Sequence, residues 1–130
     1  MGSPWEGSMH DMKMLAYLGD AVFELEVRKH ILDMGITDPK EANQLALGYV
    51  TATRQARALK NILPLLNEEE TELCRKGRNL KSENAPKSAT FAEYRMATAL
   101  EILFGYLYRE NRYDRLREII VLVLQECVNS

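Results

Sequence analysis

Apolar residues recur at steps of three and four along most of the chain, which is the period of an amphipathic α-helix. No segment alternates apolar and polar residues for long enough to favour a β-strand. The first helix is predicted over residues 11–33, where the period is regular. Its apolar stripe consists of Leu15, Leu18, Val22 and Leu25.

Capping residues divide the following part of the chain. Gly35 is expected to end the first helix, and Asp38 is expected to cap a second helix with Pro39 at its first position. This helical pattern continues to about residue 62, with a predicted break near Gly48. Asn67 is the predicted N-cap of a helix with an acidic first turn and a basic end, an order that suits the helix dipole.

Two further helices are predicted after a polar, irregular segment at 79–89. Thr90 and Glu93 have the spacing of a capping box before a helix over 91–109, and the last helix is predicted over 111–127. The sequence therefore predicts an all-α protein with one domain of five to seven helices. Residues 1–8 are expected to be disordered or left from a cloning vector, so the domain is placed at 9–130.

Composition narrows the class of protein. The chain has 130 residues, 46% apolar and 28% charged, with a formal net charge of −2, and no apolar run long enough to span a membrane. Cys74 and Cys127 are far apart, and His10 and His30 lack the spacing of a zinc site. We expect reduced, packed cysteines and a cytoplasmic location.

Two carboxylates interrupt apolar helical runs. Asp20 follows Gly19 inside "LAYLGDAVFELEV", and Glu101 precedes Gly105 by one turn inside "MATALEILFGYLY". Glycine lets two backbones approach closely, and two acids brought together favour a divalent cation such as Mg²⁺ or Mn²⁺. The alternative is that each acid lies at the edge of its helix, solvated or hydrogen-bonded.

The most basic stretch is "RKGRNLKSENAPKS", residues 75–88, in a chain that is acidic overall. Such a stretch favours contact with phosphate backbones, although a solvated helix end has the same composition. A second basic stripe at Arg54, Arg57 and Lys60 is expected to be an ordinary exposed face. The candidate phosphate-binding residues of the first stretch are Arg75, Lys76, Arg78, Asn79, Lys81 and Lys87.

These motifs resemble a known family. "YLGDAVFEL" is similar to the signature of ribonuclease III, and "ALEILFGYLY" is similar to the second acidic motif of the same fold. The short length and the "RKGRNLKS" segment resemble the Mini-ribonuclease III branch, which consists of the catalytic domain without a double-stranded-RNA-binding domain.

The resemblance implies that Asp20 and Glu101 are the catalytic residues and hold the metal. The match is incomplete, because the larger enzymes have acids at the positions of Lys13, Ala16 and Thr98. Another acidic ligand of theirs lies in the next helix, where Glu41 is the nearest candidate. A sparser set of ligands is compatible with Mg²⁺, which keeps several waters.

The resemblance also implies a homodimer that cuts double-stranded RNA with Mg²⁺, for which Mn²⁺ can substitute. The expected substrate is the precursor of large-subunit (23S) ribosomal RNA, with a ribosomal protein as a helper. Two alternatives stay open at this point. One is a non-catalytic RNA-binding or ribosome-associated module on the same fold, and the other is a helical protein–protein adaptor in which the two acids are edge residues.

Overall fold

The structure, a computed structural model, describes residues 9–80 and 90–129. Within these ranges the chain forms six α-helices and one short 3₁₀ turn, which confirms the predicted all-α class and number of helices. The predictions for residues 1–8, 81–89 and 130 lie outside the described residues. The elements are α1 (Met9–Asp33), α2 (Pro39–Val50), α3 (Ala52–Ile62), the 3₁₀ turn (Leu63–Leu65), α4 (Glu68–Arg78), α5 (Phe91–Arg109) and α6 (Tyr113–Asn129).

The predicted N-caps are confirmed. The side chain of Asp38 accepts a hydrogen bond from the backbone at the start of α2. Asn67 and Glu70 form a reciprocal capping box at α4, with N–O distances of 2.8 and 3.0 Å. Thr90 and Glu93 do the same at α5, with distances of 3.1 and 3.0 Å. Each box satisfies backbone N–H groups that have no partner within the helix.

Two predicted boundaries were wrong by a few residues. The break between α2 and α3 falls at Thr51, whose hydroxyl accepts from the backbone N–H of Arg54 at 3.4 Å, and Gly48 remains inside α2. The hydroxyl cap decides this boundary, because glycine alone only weakens a helix. The last helix begins at Tyr113, since Asn111 has a left-handed backbone with a φ of 58°.

Helix α5 is the centre of the molecule. It packs against α1, α3 and α4, and most extensively against α1. Every residue from Ile102 to Leu107 is buried. Phe104 stacks on Phe23 of α1 with ring centroids 5.3 Å apart. A helix that is buried on nearly all sides is suited to hold a side chain rigidly, because the packed neighbours restrict its movement.

The predicted stripe of α1 is only partly a core stripe. Leu15 and Val22 are buried and Leu18 is partly buried, but Leu25 is 57% exposed. Leu25 instead belongs to a second apolar row on the outward side of α1, which we name the outer stripe. The outer stripe consists of Met14, Tyr17, Leu25 and Leu32, all of them exposed.

Both cysteines are buried and reduced, as composition predicted. Burial raises the pKa of the Cys74 thiol to about 12 and that of Cys127 to about 11, so neither is a reactive thiolate at neutral pH. None of the helices in the described ranges combines the length and the apolarity needed to cross a bilayer.

Candidate active site

The backbones of α1 and α5 touch at two glycines. A Cβ atom on Gly19 would overlap the carbonyl of Glu101 and lie 2.9 Å from the backbone nitrogen of Gly105. A Cβ atom on Gly105 would overlap the carbonyl of Leu15. Neither position has space for a larger residue, so the two glycines permit the close packing that the sequence predicted.

This contact brings together the two acids that the sequence singled out. Asp20 directly follows Gly19 and is exposed, whereas Glu101, whose carbonyl faces Gly19, is partly buried. The side chains of Asp20 and Glu101 are hydrogen-bonded to each other. One carboxyl group of the pair is therefore open to solvent, and the other is held by the protein.

The pair retains a proton at neutral pH. Burial, followed by the hydrogen bond and the negative charge of Asp20, raises the pKa of Glu101 to about 9. Two ionised carboxylates at hydrogen-bond distance would repel each other, and a proton removes that repulsion. A divalent cation removes it as well, and it would bring the oxygen-rich pair into the ionised form.

No third acid completes the pair among the described side chains, where no group of three or more His, Cys, Asp or Glu residues could hold a metal ion. Glu41, the nearest candidate from the resemblance, lies exposed in the first turn of α2 and does not join such a group. The hydroxyl of Thr98 donates to the carbonyl of Tyr94 at 2.9 Å, so it is engaged within its own helix.

The basic stretch begins on a helix end that packs against α5. An added Cβ on Gly77 would be 2.8 Å from Ile102 and 3.2 Å from Ala99, which lie on one face of α5. Asn79 is the C-cap of α4. Lys81 and Lys87 lie outside the described residues. The basic residues in the last turn of α4 are Arg75, Lys76 and Arg78.

The second basic stripe differs from its prediction at one position. Arg54 is partly buried, and its Nη1 donates to the carbonyl of Cys127 at 2.9 Å. It therefore satisfies a carbonyl near the C-terminal end of α6 instead of lying on an ordinary exposed face. Arg57 and Lys60 are exposed, as expected.

The sequence did not predict the ion pairs that anchor the start of α4. Buried Glu70 accepts two hydrogen bonds from Arg115, at 2.7 and 2.8 Å, and Glu69 accepts from Arg112 at 2.6 Å and from the hydroxyl of Tyr106 at 2.9 Å. Burial would raise the pKa of Glu70, but the hydrogen bonds, chiefly those from Arg115, hold it below its ordinary value. Nothing in the local pattern marks these partners, because they lie more than a helix apart in the chain.

The fold and the sequence family place the chain in a class of nuclease. The sequence family described as Ribonuclease III domain matches residues 13–112, so the chain belongs to the ribonuclease III family and is an endoribonuclease. The match spans most of α1 and continues through α5, and it includes both acids and the basic end of α4.

Individual relatives are consistent with this family. The chain is 45% identical to Mini-ribonuclease 3 of Symbiobacterium thermophilum, over 82% of each chain. It is 41% identical to Mini-ribonuclease 3 of Brevibacillus brevis, over 82% of this chain and 80% of that one. An X-ray crystal structure of a Fusobacterium nucleatum protein superposes with a TM-score of 0.77 at 35% identity, covering 88% of this chain and 91% of the other.

Proposed function

We propose that the chain is a Mg²⁺-dependent endoribonuclease of double-stranded RNA, in which Asp20 and Glu101 hold the metal. The observation that carries the proposal is the hydrogen-bonded acid pair at the glycine contact between α1 and α5. Mn²⁺ has similar ligand preferences and can substitute.

The donor set fits the cation. Mg²⁺ is commonly bound by one or two carboxylates, with water and substrate phosphates as its other ligands, so a pair of acids is sufficient. When bound, the cation would lower the pKa of the attacking water and offset negative charge on the scissile phosphate. Glu101 would supply a metal ligand from the rigid helix α5, where it is partly buried. Asp20 would supply a second ligand from the exposed surface, where RNA can approach.

The basic end of α4 supplies affinity for the duplex. Arg75, Lys76, Arg78 and Asn79, followed by Lys81 and Lys87, contact phosphates of the RNA backbone. Their helix end packs through Gly77 against Ala99 and Ile102 of α5, the helix that carries Glu101. A-form RNA offers mainly shape, phosphates and 2′-hydroxyls to a protein, so weak sequence preference is expected.

The chain acts as a homodimer. The outer stripe leaves an apolar row exposed along α1, next to a groove of about 340 Å³ lined by Leu25, Tyr108 and Tyr113 among others. Exposed apolar surface of this kind is typical of an interface between protein chains. Two subunits provide two acid pairs, one for each strand, and the products carry 5′-phosphates and short 3′ overhangs.

The substrate we propose is precursor large-subunit (23S) ribosomal RNA in the cytoplasm, with a ribosomal protein as a helper. This part rests on the resemblance to the Mini-ribonuclease 3 relatives. A non-catalytic RNA-binding module would share the fold and the basic surface, but the ribonuclease III family match favours cleavage.

The test is incubation with long duplex RNA, with Mg²⁺ or with EDTA, read on a denaturing gel. We expect cleavage only with Mg²⁺ and little cleavage of single-stranded RNA of the same sequence. Binding of the duplex without cleavage in Mg²⁺ would support the non-catalytic module instead.

A further inference from the structure

The acids of α4 face two different sets of partners. Glu69 and Glu70 bind Arg112 and Arg115, which belong to the region where α6 begins. Glu72, further along α4, instead pairs with Arg75 of the same helix. One acid of this helix therefore lies among the cations that we assign to RNA.

The contact between Glu72 and Arg75 uses both oxygens of the carboxylate. Nε of Arg75 donates to Oε2 at 3.0 Å, and Nη2 donates to Oε1 at 2.5 Å. The two side chains remain 51% exposed for Arg75 and 39% exposed for Glu72, so solvent and ligands can reach them. Other ion pairs between neighbouring turns are looser single contacts, such as Arg28–Glu24 at 3.4 Å.

A paired carboxylate offers the same two oxygens that a phosphate would offer to a guanidinium group. We propose that Glu72 occupies the phosphate-binding edge of Arg75 and weakens duplex binding until an RNA phosphate displaces it. The proposal rests on the function proposed above for the basic end of α4. In this arrangement Glu72 sets how tightly the duplex and its cleaved product are held.

The charges around Glu72 support its competition with phosphate. The hydrogen bond from Arg75 lowers the pKa of Glu72, and the charges of Arg75 and Lys76 act in the same direction. Glu72 is therefore ionised at neutral pH and lies within the field of two of the proposed RNA-binding cations. The same hydrogen bond raises the pKa of Arg75.

The experiment measures affinity for a duplex RNA across a salt series, with Ca²⁺ in place of Mg²⁺ to prevent cleavage. Glu72→Gln should tighten binding about two- to tenfold at low salt, because the RNA phosphate no longer has to displace the Glu72 carboxylate from Arg75. The slope of log affinity against log salt should stay close to that of the unmodified protein, because Arg75 makes the same phosphate contact in both. In an Arg75→Ala background, Glu72→Gln should have little further effect.

Glu118→Gln is the matched control. Glu118 pairs with Arg115 at 3.5 Å over the same spacing and is exposed, so its loss changes the net charge equally but on α6 instead of the basic end of α4. An equal gain in affinity from both variants would show a general charge effect and overturn the proposal. An unchanged affinity for Glu72→Gln would overturn it too.

The failure of this inference can be told from the failure of the proposed function. If Glu72→Gln has no effect while Arg78→Ala weakens duplex binding, the basic end of α4 binds RNA and only the role of Glu72 is wrong. If neither variant changes binding, the RNA surface lies elsewhere and both assignments fail. Circular dichroism of each variant checks that the fold is retained.

Discussion

At the scale of single residues, the acid pair that we propose as the metal site is unfavourable for the stability of the fold. Asp20 and Glu101 lie at hydrogen-bond distance because Gly19 and Gly105 let two backbones touch. A partly buried acid beside a second acid is unfavourable for a structure that needs only packing. Such an arrangement is typical of functional sites, where a ligand compensates for the repulsion.

Replacing Asp20 should abolish most of the activity and leave the fold intact. Asp20→Asn keeps the shape of the side chain but removes an anionic oxygen, so cleavage of duplex RNA should fall at least ~10²-fold. Glu101→Gln should have a comparable effect on cleavage. The measurement is the initial rate in Mg²⁺, and Glu24→Gln, an exposed acid one turn further along α1, should cut like the unmodified protein. A near-normal rate for Asp20→Asn would show that Asp20 is not a ligand that cleavage requires.

The stability of the metal-free protein should decrease as the pH rises. The pKa of Glu101 is about 9 in the folded protein and 4.5 ordinarily, so the folded state binds the extra proton between these values. Stability from this group is complete below pH ~4.5 and is lost as pH rises towards ~9. Glu101→Gln lacks the effect, so its Tm should exceed that of the unmodified protein by about 5 °C near pH 9 and less near pH 5. Thermal denaturation in EDTA tests this, and parallel pH curves would contradict it.

At the scale of elements, α4 connects the ion pairs of Glu69 and Glu70 to the proposed RNA surface. Its first turn is held by Arg112 and Arg115, and Gly77 in its last turn packs against α5 among the basic residues Arg75, Lys76 and Arg78. A helix held at one end and packed along its side presents its other end in a defined direction. The position of the basic end therefore depends on contacts made at the opposite end of the helix.

The basic end should determine how binding depends on salt. Changing Arg78 and Lys81 to alanine should weaken binding to every duplex sequence and reduce the salt slope by about one to two units. The matched control is Arg57→Ala with Lys60→Ala, which removes two exposed cations from α3. Affinity for duplex RNA in Ca²⁺ across a salt series is the measurement. An unchanged slope would contradict the prediction and would make the exposed cations of α3 the next candidates for the RNA surface.

At the scale of the whole molecule, the exposed outer stripe marks a face that one chain does not cover. Leu25→Arg should convert a dimer into single chains, because a charge cannot be buried in an apolar interface without a partner. Leu47→Arg, at a residue with similar exposure on α2, should leave the assembly unchanged. Sedimentation equilibrium at micromolar concentration measures the mass, and a single-chain mass for the unmodified protein would contradict the dimer.

The sequence by itself determined the features that depend on neighbours within a turn or two. Periodicity located the helices, and side chains such as Asp38, Asn67 and Thr90 marked where three of them begin. These signals are local because a cap satisfies backbone groups of its own first turn. The pattern alone paired Asp20 with Glu101 as candidates, and the resemblance to family motifs gave the two acids their expected roles.

Only the tertiary structure decided which distant residues meet. It placed Glu70 on Arg115 across 45 positions of the chain and Arg54 on the carbonyl of Cys127 across 73. It also turned Leu25 outward, since the period of an isolated helix does not say which apolar row faces the core. Such contacts depend on how helices pack against each other, and that packing is set by the shape of the whole core.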